Sequence, residues 1–291
     1  MRLVTFVQEE EYRLGAMLDC DGKQVVVDLN RMDARLPADI IQFFEAGESA
    51  KSLAQEKLAQ VGSQYHMPLA EVHLWAPIPR PRKILCIGLN YRDHVEETKA
   101  TLPDHPTVFT KHTNAITAHG GDIVIPQATY KVDYEAELAV VIGKRGRHIP
   151  ANAAYDYVAG YMPFNDVSAR DFQKRTSQWT IGKSFDTFAP MGPALVTTDE
   201  VPDPHNLNIR MRVSGEVLQD SNTQQLIFSI PVLIESLSQV MTLEPGDIIS
   251  TGTPGGVGFT RQPPRYLKPG DIAEVEIDGV GVLSNPVVAE K

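Results

Sequence analysis

Two glutamates stand two positions apart in residues 132–143, VDYEAELAVVIG, and they carry the most informative chemistry of the sequence. The segment is rich in Val, Ile and Leu and ends at a Gly, so we predict a β-strand. Because strand side chains alternate, Glu135 and Glu137 point to one face, followed on that face by Ala139 and Val141. The apolar continuation favours a buried face, although a solvent-exposed face is an equal alternative from the glutamates alone. Two buried carboxylates need a counter-charge, which a divalent cation would supply.

A third carboxylate follows a second predicted strand. Asp166, in YMPFNDVSARD, comes directly after the strand predicted at residues 161–165. With the two glutamates it would complete an all-oxygen ligand set for Mg²⁺ or Mn²⁺, with Ca²⁺ as a further candidate. From spacing alone, an ordinary loop or capping role for Asp166 is the more common outcome. No His or Cys competes as a ligand, so zinc is not predicted.

His94 and Glu97 are three residues apart in RDHVEETK, a predicted short polar helix. Residues at positions i and i+3 share a helix face, so the pair could serve as a base and its orienting partner on a water molecule. A surface contact between the two side chains, with no catalytic role, is the alternative, and the spacing by itself favours it.

Lys183 and a glycine-rich segment could both bind anions. Lys183, in WTIGKSFD, has largely apolar neighbours, so its ammonium needs an anion, which a substrate carboxylate or Asp186 would supply. Residues 251–258, TGTPGGVG, offer many backbone N–H and hydroxyl donors, although a tight turn that requires Gly explains them equally well. The chain has no Walker loop, no GxGxxG that opens a helix and no GxSxG nucleophile motif.

These side chains must be positioned by a fold rich in short strands. We predict strands at residues 3–7, 13–18, 24–28, 84–88, 122–125, 135–142, 161–165 and 207–213. We predict helices at residues 39–61, 152–157 and 229–239. Many short strands and few helices indicate a β-rich α+β fold and argue against a βαβ array. The proline-rich stretch APIPRPRK predicts a boundary, with a small domain at residues 1–75, a linker at 76–82 and a large domain at 83–291.

Composition restricts the classes of partner and compartment. The formal charge of −10 over 291 residues, with no basic cluster, argues against a nucleic-acid partner. The first residues, MRLVTFVQEE, do not resemble a signal peptide, and the longest apolar runs are too short to cross a bilayer. Two cysteines, Cys20 and Cys86, form neither a disulfide framework nor a zinc site, which indicates a reducing compartment. We therefore expect a cytoplasmic protein.

Seven motifs occur in a characteristic order: GLNYRDHVEE, DYEAELAVVIG, YMPFNDVSARDFQ, GKSFDTFAPMGP, LIFSI, PGDIISTGTPGGVG and PGDIAEVEIDGVGVLSNPV. In this order they resemble the fumarylacetoacetate hydrolase family over residues 83–288, and most closely its bacterial acylpyruvase-like branch. The resemblance implies a mixed β-sandwich roll for the large domain, a small N-terminal α/β domain, and a homodimer.

The resemblance also implies roles for individual residues. The metal-binding E-x-E…D triad of the family matches Glu135, Glu137 and Asp166. The lysine that holds the substrate or its enolate matches Lys183. The dyad that activates water, on a lid segment that orders over substrate, matches His94 and Glu97. Positions that line the substrate pocket match Arg170, Gln173 and Thr253.

The leading hypothesis is a Mg²⁺- or Mn²⁺-dependent hydrolase that cleaves a C–C bond of an acylpyruvate or related 2,4-diketo acid. In the chemistry that the resemblance implies, the metal chelates the 2-oxo acid and, with Lys183, stabilises the enolate that cleavage leaves. The alternatives are an oxaloacetate decarboxylase and a catabolic isomerase of a hydroxymuconate-type diacid. The alternative from a different class is a non-catalytic binding or regulatory protein with a degenerate site. Thermal shift with Mg²⁺ and oxalate discriminates, because an enzyme site should be stabilised more by the pair than by either alone.

Overall fold

Short strands dominate the structure, a computed structural model that describes residues 1–291. The strands are β1 Arg2–Gln8, β2 Glu11–Cys20, β3 Lys23–Asp28, β4 His66–Pro68, β5 Leu74–Trp75, β6 Ile84–Gly88, β7 Thr107–Lys111, β8 Ile116–Ala118, β9 Ile123–Ile125, β10 Val132–Asp133, β11 Ala136–Ile142, β12 Val158–Asn165, β13 Ser168–Ala169, β14 Ala189–Met191, β15 Leu195–Thr197, β16 Asn208–Val213, β17 Glu216–Asn222, β18 Ile248–Ser250, β19 Ile272–Ile277 and β20 Gly281–Ala289. The α-helices are α1 Leu29–Met32, α2 Ile40–Glu45, α3 Gly47–Leu58, α4 Arg92–Thr98, α5 Arg170–Gln173, α6 Thr180–Lys183 and α7 Ile230–Val240.

The strands form one large sheet and two smaller ones. The main path of the large sheet is β4-β3-β2-β1-β15-β12-β11-β18-β6-β7, with β5, β8 and β14 paired beside it. A second sheet has the order β17-β16-β19-β20-β9, and β10 pairs with β13 alone. Most pairs are antiparallel, and the parallel ones are β6 with β18, β8 with β14, and β9 with β20. This mixed, strand-rich arrangement confirms the predicted α+β class.

The N-terminal strands form a meander that continues into the large sheet. Asp21 and Gly22 join β2 to β3 with φ values of 54° and 76°, which suits a two-residue hairpin turn. Strand β1 pairs with β15, so the first strands extend the same sheet that carries the later ones. Residues 76–82 contain no helix or strand. The division into domains at these residues remains a prediction.

The helix predicted over residues 39–61 is in fact two helices, α2 and α3. Gly47 adopts a φ of +64°, a left-handed conformation that interrupts the helical backbone between them. The Asp39 side chain accepts hydrogen bonds from the N–H groups of Ile41 and Gln42 in the first turn of α2, so the predicted start of the helix is correct.

The strand predicted over residues 132–143 is also divided, and this break bears directly on the site. β10 ends at Asp133 and β11 begins at Ala136, so Glu135 lies at the junction between the small two-stranded sheet and the large sheet. At the break, side chains accept the backbone hydrogen bonds that a neighbouring strand would otherwise accept. The Glu135 N–H donates to Asn165 Oδ1 at 3.1 Å, and the Ala136 N–H donates to Gln219 Oε1 at 2.9 Å. The continuous strand expected over residues 132–143 is therefore wrong at Tyr134 and Glu135, whereas the strand predicted at residues 135–142 is correct to within one residue.

Helix α7 confirms the helical periodicity predicted near residues 229–239. Its buried face consists of Ile230, Leu233, Ile234 and Leu237, with Ser238 beside them. None of the helices in the structure combines the length and the apolarity that a bilayer crossing requires.

Candidate active site

Glu135, Glu137 and Asp166 form a buried acidic cluster. Each contributes one carboxylate oxygen, and these oxygens all lie within 4.8 Å of one another. Antiparallel pairing of β11 with β12 places Glu137 opposite Phe164, and the Asp166 N–H donates to the Glu135 carbonyl at 2.9 Å. Strand pairing thus brings the third carboxylate to the two glutamates.

Glu137 is the member of the cluster without a cationic partner. Its carboxylate accepts hydrogen bonds from Ser250 Oγ and from the Gly252 N–H, the latter at 3.0 Å. Burial raises the pKa of Glu137 well above its ordinary value, and the neighbouring charges of Asp166 and Glu135 raise it further. A cation bound beside Glu137 would stabilise its ionised form and so lower this raised pKa.

The other two carboxylates pair with cations that the protein supplies. Lys183 Nζ lies 2.6 Å from Glu135 Oε2 and 2.7 Å from Asp166 Oδ2. Arg170 Nη2 lies 2.7 Å from Glu135 Oε1. Burial opposes the ionisation of Glu135, yet Arg170 and Lys183 outweigh burial and lower the pKa of Glu135. The anion that Lys183 needs is therefore not Asp186, which instead accepts a hydrogen bond from the Asn114 side-chain amide at 2.7 Å.

A divalent metal fits this set of donors. Carboxylate oxygens are the ligands that Mg²⁺ and Mn²⁺ prefer, and the cluster contains no thiolate or imidazole that would favour zinc. Four buried carboxylates meet three buried cations here, which leaves one excess negative charge. The four carboxylates are Asp133, Glu135, Glu137 and Asp166, and the three cations are Lys111, Arg170 and Lys183.

Lys111 is a residue of the site that the sequence reasoning missed. It ends β7 with a fully buried side chain, and its Nζ lies 2.6 Å from Asp166 Oδ1 and donates to the Val167 carbonyl at 3.0 Å. Burial lowers the pKa of Lys111, and the contact with Asp166 opposes that shift. Alternation along TVFTK puts Phe109 and Lys111 on one buried face, and this pattern is the signal that could have identified the residue.

We expect Lys111→Met to lower the free energy of unfolding of the metal-free protein by up to about 3–5 kcal/mol, the usual cost of breaking a buried ion pair. The variant leaves Asp166 with Lys183 alone, which Asp166 shares with Glu135, and it adds one more excess negative charge to the cluster. Denaturant titration measures this loss. The matched control is Lys23→Met on the exposed end of the N-terminal hairpin, which should change stability by less than about 0.5 kcal/mol. Equal unfolding free energies for Lys111→Met and the unmodified protein would show that Asp166 does not depend on this partner.

The glycine-rich segment at residues 251–258 does bind anions, but they are the protein's own carboxylates. Its backbone N–H groups at positions 252, 256 and 258 donate hydrogen bonds to Glu137, Glu97 and Asp133. Gly256 has a φ of +96°, and a Cβ there would lie 2.2 Å from the Leu218 carbonyl oxygen. Glycine is therefore required by a close backbone approach as well as by the turn.

Helix α4 carries His94 and Glu97 and lies against this segment. His94 is buried, and its Nδ1 lies 3.6 Å from Glu97 Oε2 without a hydrogen-bond partner. Glu97 also accepts hydrogen bonds from the Gly256 N–H at 3.0 Å and from Thr260 Oγ1 at 2.8 Å. Partial burial would raise the pKa of Glu97, but its contacts with His94 and the Gly256 N–H lower it. Movement of α4 as a lid remains a prediction.

A pocket of about 370 Å³ opens beside the acidic cluster. Eight of the nine residues predicted for the site line it: His94, Glu135, Glu137, Asp166, Arg170, Gln173, Lys183 and Thr253. Glu97 does not line the pocket.

Hydrogen bonds within the protein hold two of the polar lining residues. Gln173 Oε1 accepts a hydrogen bond from Arg170 at 3.0 Å, and Thr253 Oγ1 accepts one from Gln219 at 2.9 Å. Phe109, Trp179 and Phe259 supply most of the aromatic surface.

Comparison with known proteins identifies relatives along the whole chain. Residues 83–288 match the family Fumarylacetoacetate (FAA) hydrolase C-terminal. The mitochondrial oxaloacetate tautomerase Fahd2a of Rattus norvegicus is 47% identical over 291 residues, which cover 99% of this chain and 92% of that protein. The mitochondrial oxaloacetate tautomerase FAHD2A of Homo sapiens is 48% identical over 290 residues, with the same coverage of 99% and 92%.

Solved structures with the same fold include hydrolases. A fumarylacetoacetate hydrolase from Exiguobacterium antarcticum is 34% identical, with a TM-score of 0.84 and full coverage of both chains. A maleylpyruvate hydrolase from Sphingobium, in complex with manganese(II) and pyruvate, is 31% identical, with a TM-score of 0.83 and full coverage of both chains.

The relatives correct the compartment expected from the sequence. The oxaloacetate tautomerases of rat, frog and human are mitochondrial proteins, which contradicts a purely cytoplasmic placement. Composition and cysteine content report on redox conditions, and a reducing interior is common to more than one compartment.

Proposed function

The chain belongs to the fumarylacetoacetate hydrolase family, and on this premise we propose that it is a divalent-metal-dependent enzyme that interconverts the enol and keto forms of oxaloacetate. The observation that carries the proposal is the 47% identity to a rat oxaloacetate tautomerase over 99% of the chain. This similarity includes the N-terminal part that lies outside the matched family segment. The similarity favours a reaction of oxaloacetate over C–C bond hydrolysis, which is the leading hypothesis from the sequence.

We propose that Glu135, Glu137 and Asp166 hold Mg²⁺ or Mn²⁺. Their buried oxygens lie within 4.8 Å of one another, and Glu137 lacks any other cationic partner. When bound, the metal supplies a Lewis acid for the carboxylate and 2-oxo oxygens of the substrate.

Lys183 is suited to stabilise negative charge on the 2-oxo oxygen. That charge develops when C3 of oxaloacetate loses its proton, and a preorganised ammonium in a buried site stabilises it strongly. Lys183 lines the pocket, and its contacts with Asp166 and Glu135 outweigh burial and raise its pKa. The side chain therefore stays cationic and able to donate a hydrogen bond to the oxygen.

His94 is suited to carry the proton. Tautomerisation moves one proton between the enol oxygen and C3, with no water consumed and no C–C bond broken. His94 is the only imidazole that lines the pocket, and Glu97 lies 3.6 Å away to orient the ring when the contact tightens. The sequence resemblance implies that His94 and Glu97 activate water. Proton transfer in tautomerisation would use the same two residues.

A second candidate is hydrolysis of an acylpyruvate. The maleylpyruvate hydrolase with manganese(II) and pyruvate favours it, because pyruvate is the product expected when an acylpyruvate is cleaved. Decarboxylation of oxaloacetate, a further candidate from the sequence, also produces the enolate of pyruvate.

Assays of one Mg²⁺-loaded preparation separate the three reactions. Loss of enol absorbance reports tautomerisation of oxaloacetate, coupled reduction of pyruvate reports decarboxylation, and loss of acetylpyruvate absorbance reports hydrolysis. We expect tautomerisation to have the highest kcat/KM. A higher kcat/KM for acetylpyruvate cleavage would instead establish the hydrolase.

We also propose that the chain acts as a homodimer, as the family resemblance implies. Light scattering on the purified protein distinguishes a dimer from the 32.1 kDa monomer.

A further inference from the structure

Lys174 is the only exposed cation that lines the pocket. The other two lining cations, Arg170 and Lys183, are 3% and 2% exposed and pair with buried carboxylates. Lys174 is exposed and has no carboxylate within 4.0 Å of its Nζ. The solvent-facing side of the pocket therefore carries an ammonium group with no anion from the protein.

Phe259 and the short helix α5 position the Lys174 ammonium next to the buried Arg170. Lys174 follows α5 and is four residues after Arg170, so both side chains project from one face about 6 Å apart along the axis. Lys174 Nζ and Arg170 Cζ each lie 4.6 Å from the centroid of Phe259, which also lines the pocket. Positive charge thus extends from the acidic cluster to the pocket entrance along Phe259.

The charges that line the pocket match a doubly negative ligand. Three carboxylates and three cations line it, so their formal charges cancel, and a bound divalent metal would leave two positive charges. Asp133 and Lys111, which lie behind this lining, cancel each other. A monocarboxylic 2-oxo acid would neutralise only one of the two charges and would leave Lys174 without a partner.

We infer that Lys174 binds the distal carboxylate of a dicarboxylic 2-oxo acid at the entrance of the pocket, and so selects dianionic over monoanionic substrates. The inner carboxylate and 2-oxo group then lie toward Arg170, Lys183 and the acidic cluster. This role rests on the proposed function, since it assigns one part of that substrate to one residue.

Three variants test the role. Lys174→Met removes the charge and keeps an unbranched stem that can still lie over Phe259, whereas Lys174→Arg keeps the charge. Arg175→Met is the matched control, because Arg175 is the next residue, stacks on Phe172 at 3.4 Å and does not line the pocket. Each is assayed for tautomerisation of oxaloacetate and of the monoanionic phenylpyruvate.

We expect Lys174→Met to raise KM for oxaloacetate about threefold to fivefold, as for one exposed ion pair, with kcat changed by less than about twofold. KM for phenylpyruvate should not change, Lys174→Arg should restore KM for oxaloacetate, and Arg175→Met should leave it unaltered. Equal shifts for both substrates, or the same shift in Arg175→Met, would overturn the role.

A binding measurement separates this role from the proposed reaction. Titration calorimetry of the Mg²⁺-loaded protein compares 2-oxoglutarate with 2-oxobutyrate, which differ in the distal carboxylate. If oxaloacetate is not turned over but Lys174→Met abolishes a preference for 2-oxoglutarate, the proposed reaction fails and the role of Lys174 stands. If the unmodified protein shows no such preference, or Lys174→Met retains it, the role of Lys174 is overturned even when tautomerisation proceeds.

Discussion

Replacing Glu137 with Gln is expected to abolish metal binding and turnover together while the metal-free protein remains folded. Glu137 is the one carboxylate of the cluster without a cationic partner, so it would contribute most of its charge to the metal. Loss of the metal removes several kcal/mol of transition-state stabilisation, which corresponds to a decrease in kcat/KM of at least about 10³-fold. The amide oxygen of Gln can still accept the hydrogen bonds from Ser250 and the Gly252 N–H.

The same variant should be at least as stable as the unmodified protein without metal. Because burial and neighbouring carboxylates raise the folded pKa of Glu137, its protonated form favours folding at low pH, and that contribution is lost as pH rises toward the folded pKa. Gln cannot ionise and does not undergo this loss. The stability advantage of Glu137→Gln should therefore grow with pH above the unfolded value for a glutamate, about 4.3.

Titration calorimetry with Mn²⁺, activity assays and denaturant titrations at several pH values measure these effects. Asp186→Asn serves as the control, because Asp186 lies outside the cluster and the new amide can still accept from Asn114. Normal Mn²⁺ affinity in Glu137→Gln would show that Glu137 is not a ligand.

Replacing His94 with Ala is expected to reduce tautomerisation of oxaloacetate by about 10²–10⁴-fold, the usual contribution of a positioned acid or base. Decarboxylation needs no proton transfer before carbon dioxide leaves, so it should fall by less than about tenfold. This difference corresponds to at least about 1.4 kcal/mol in barrier height. Lys183→Ala should instead slow both reactions, because both develop charge on the same oxygen.

Separate measurement of kcat and KM distinguishes proton transfer from closure of α4. If His94 also holds α4 against the pocket, its removal should change both parameters. Equal losses of kcat in the two reactions, at unchanged KM, would exclude a specific proton-transfer role for His94.

Local patterns were sufficient for much of the fold. The alternation in the first three strands, the Asp21–Gly22 turn and the apolar spacing of α7 all depend on neighbours within a few residues. Residue type and spacing singled out five residues that line one pocket, and the motif resemblance added Arg170, Gln173 and Thr253. Backbone breaks were not visible, because Gly47 and the junction at Glu135 lie in stretches whose composition favours uninterrupted elements.

Only the tertiary structure revealed the partners of the acidic cluster. Lys111 is 55 residues from Asp166, and Lys183 is 48 residues from Glu135, yet both pairs are in direct contact. Alternation along β7 places Lys111 on the same face as Phe109, but nothing near Lys111 in the sequence identifies Asp166 as its partner. The sequence also offered Asp186 as a partner for Lys183, and this assignment is incorrect.

The sequence by itself determined which residue types could do chemistry and, within most strands and helices, which residues share a face. The tertiary structure decided which charges neutralise one another, that the glycine-rich segment binds the protein's own carboxylates, and which cation remains without a partner at the pocket entrance. The physical reason is that alternation and helical spacing are local properties of the backbone, whereas charge pairing depends on distances set by strand order and loop closure across tens of residues.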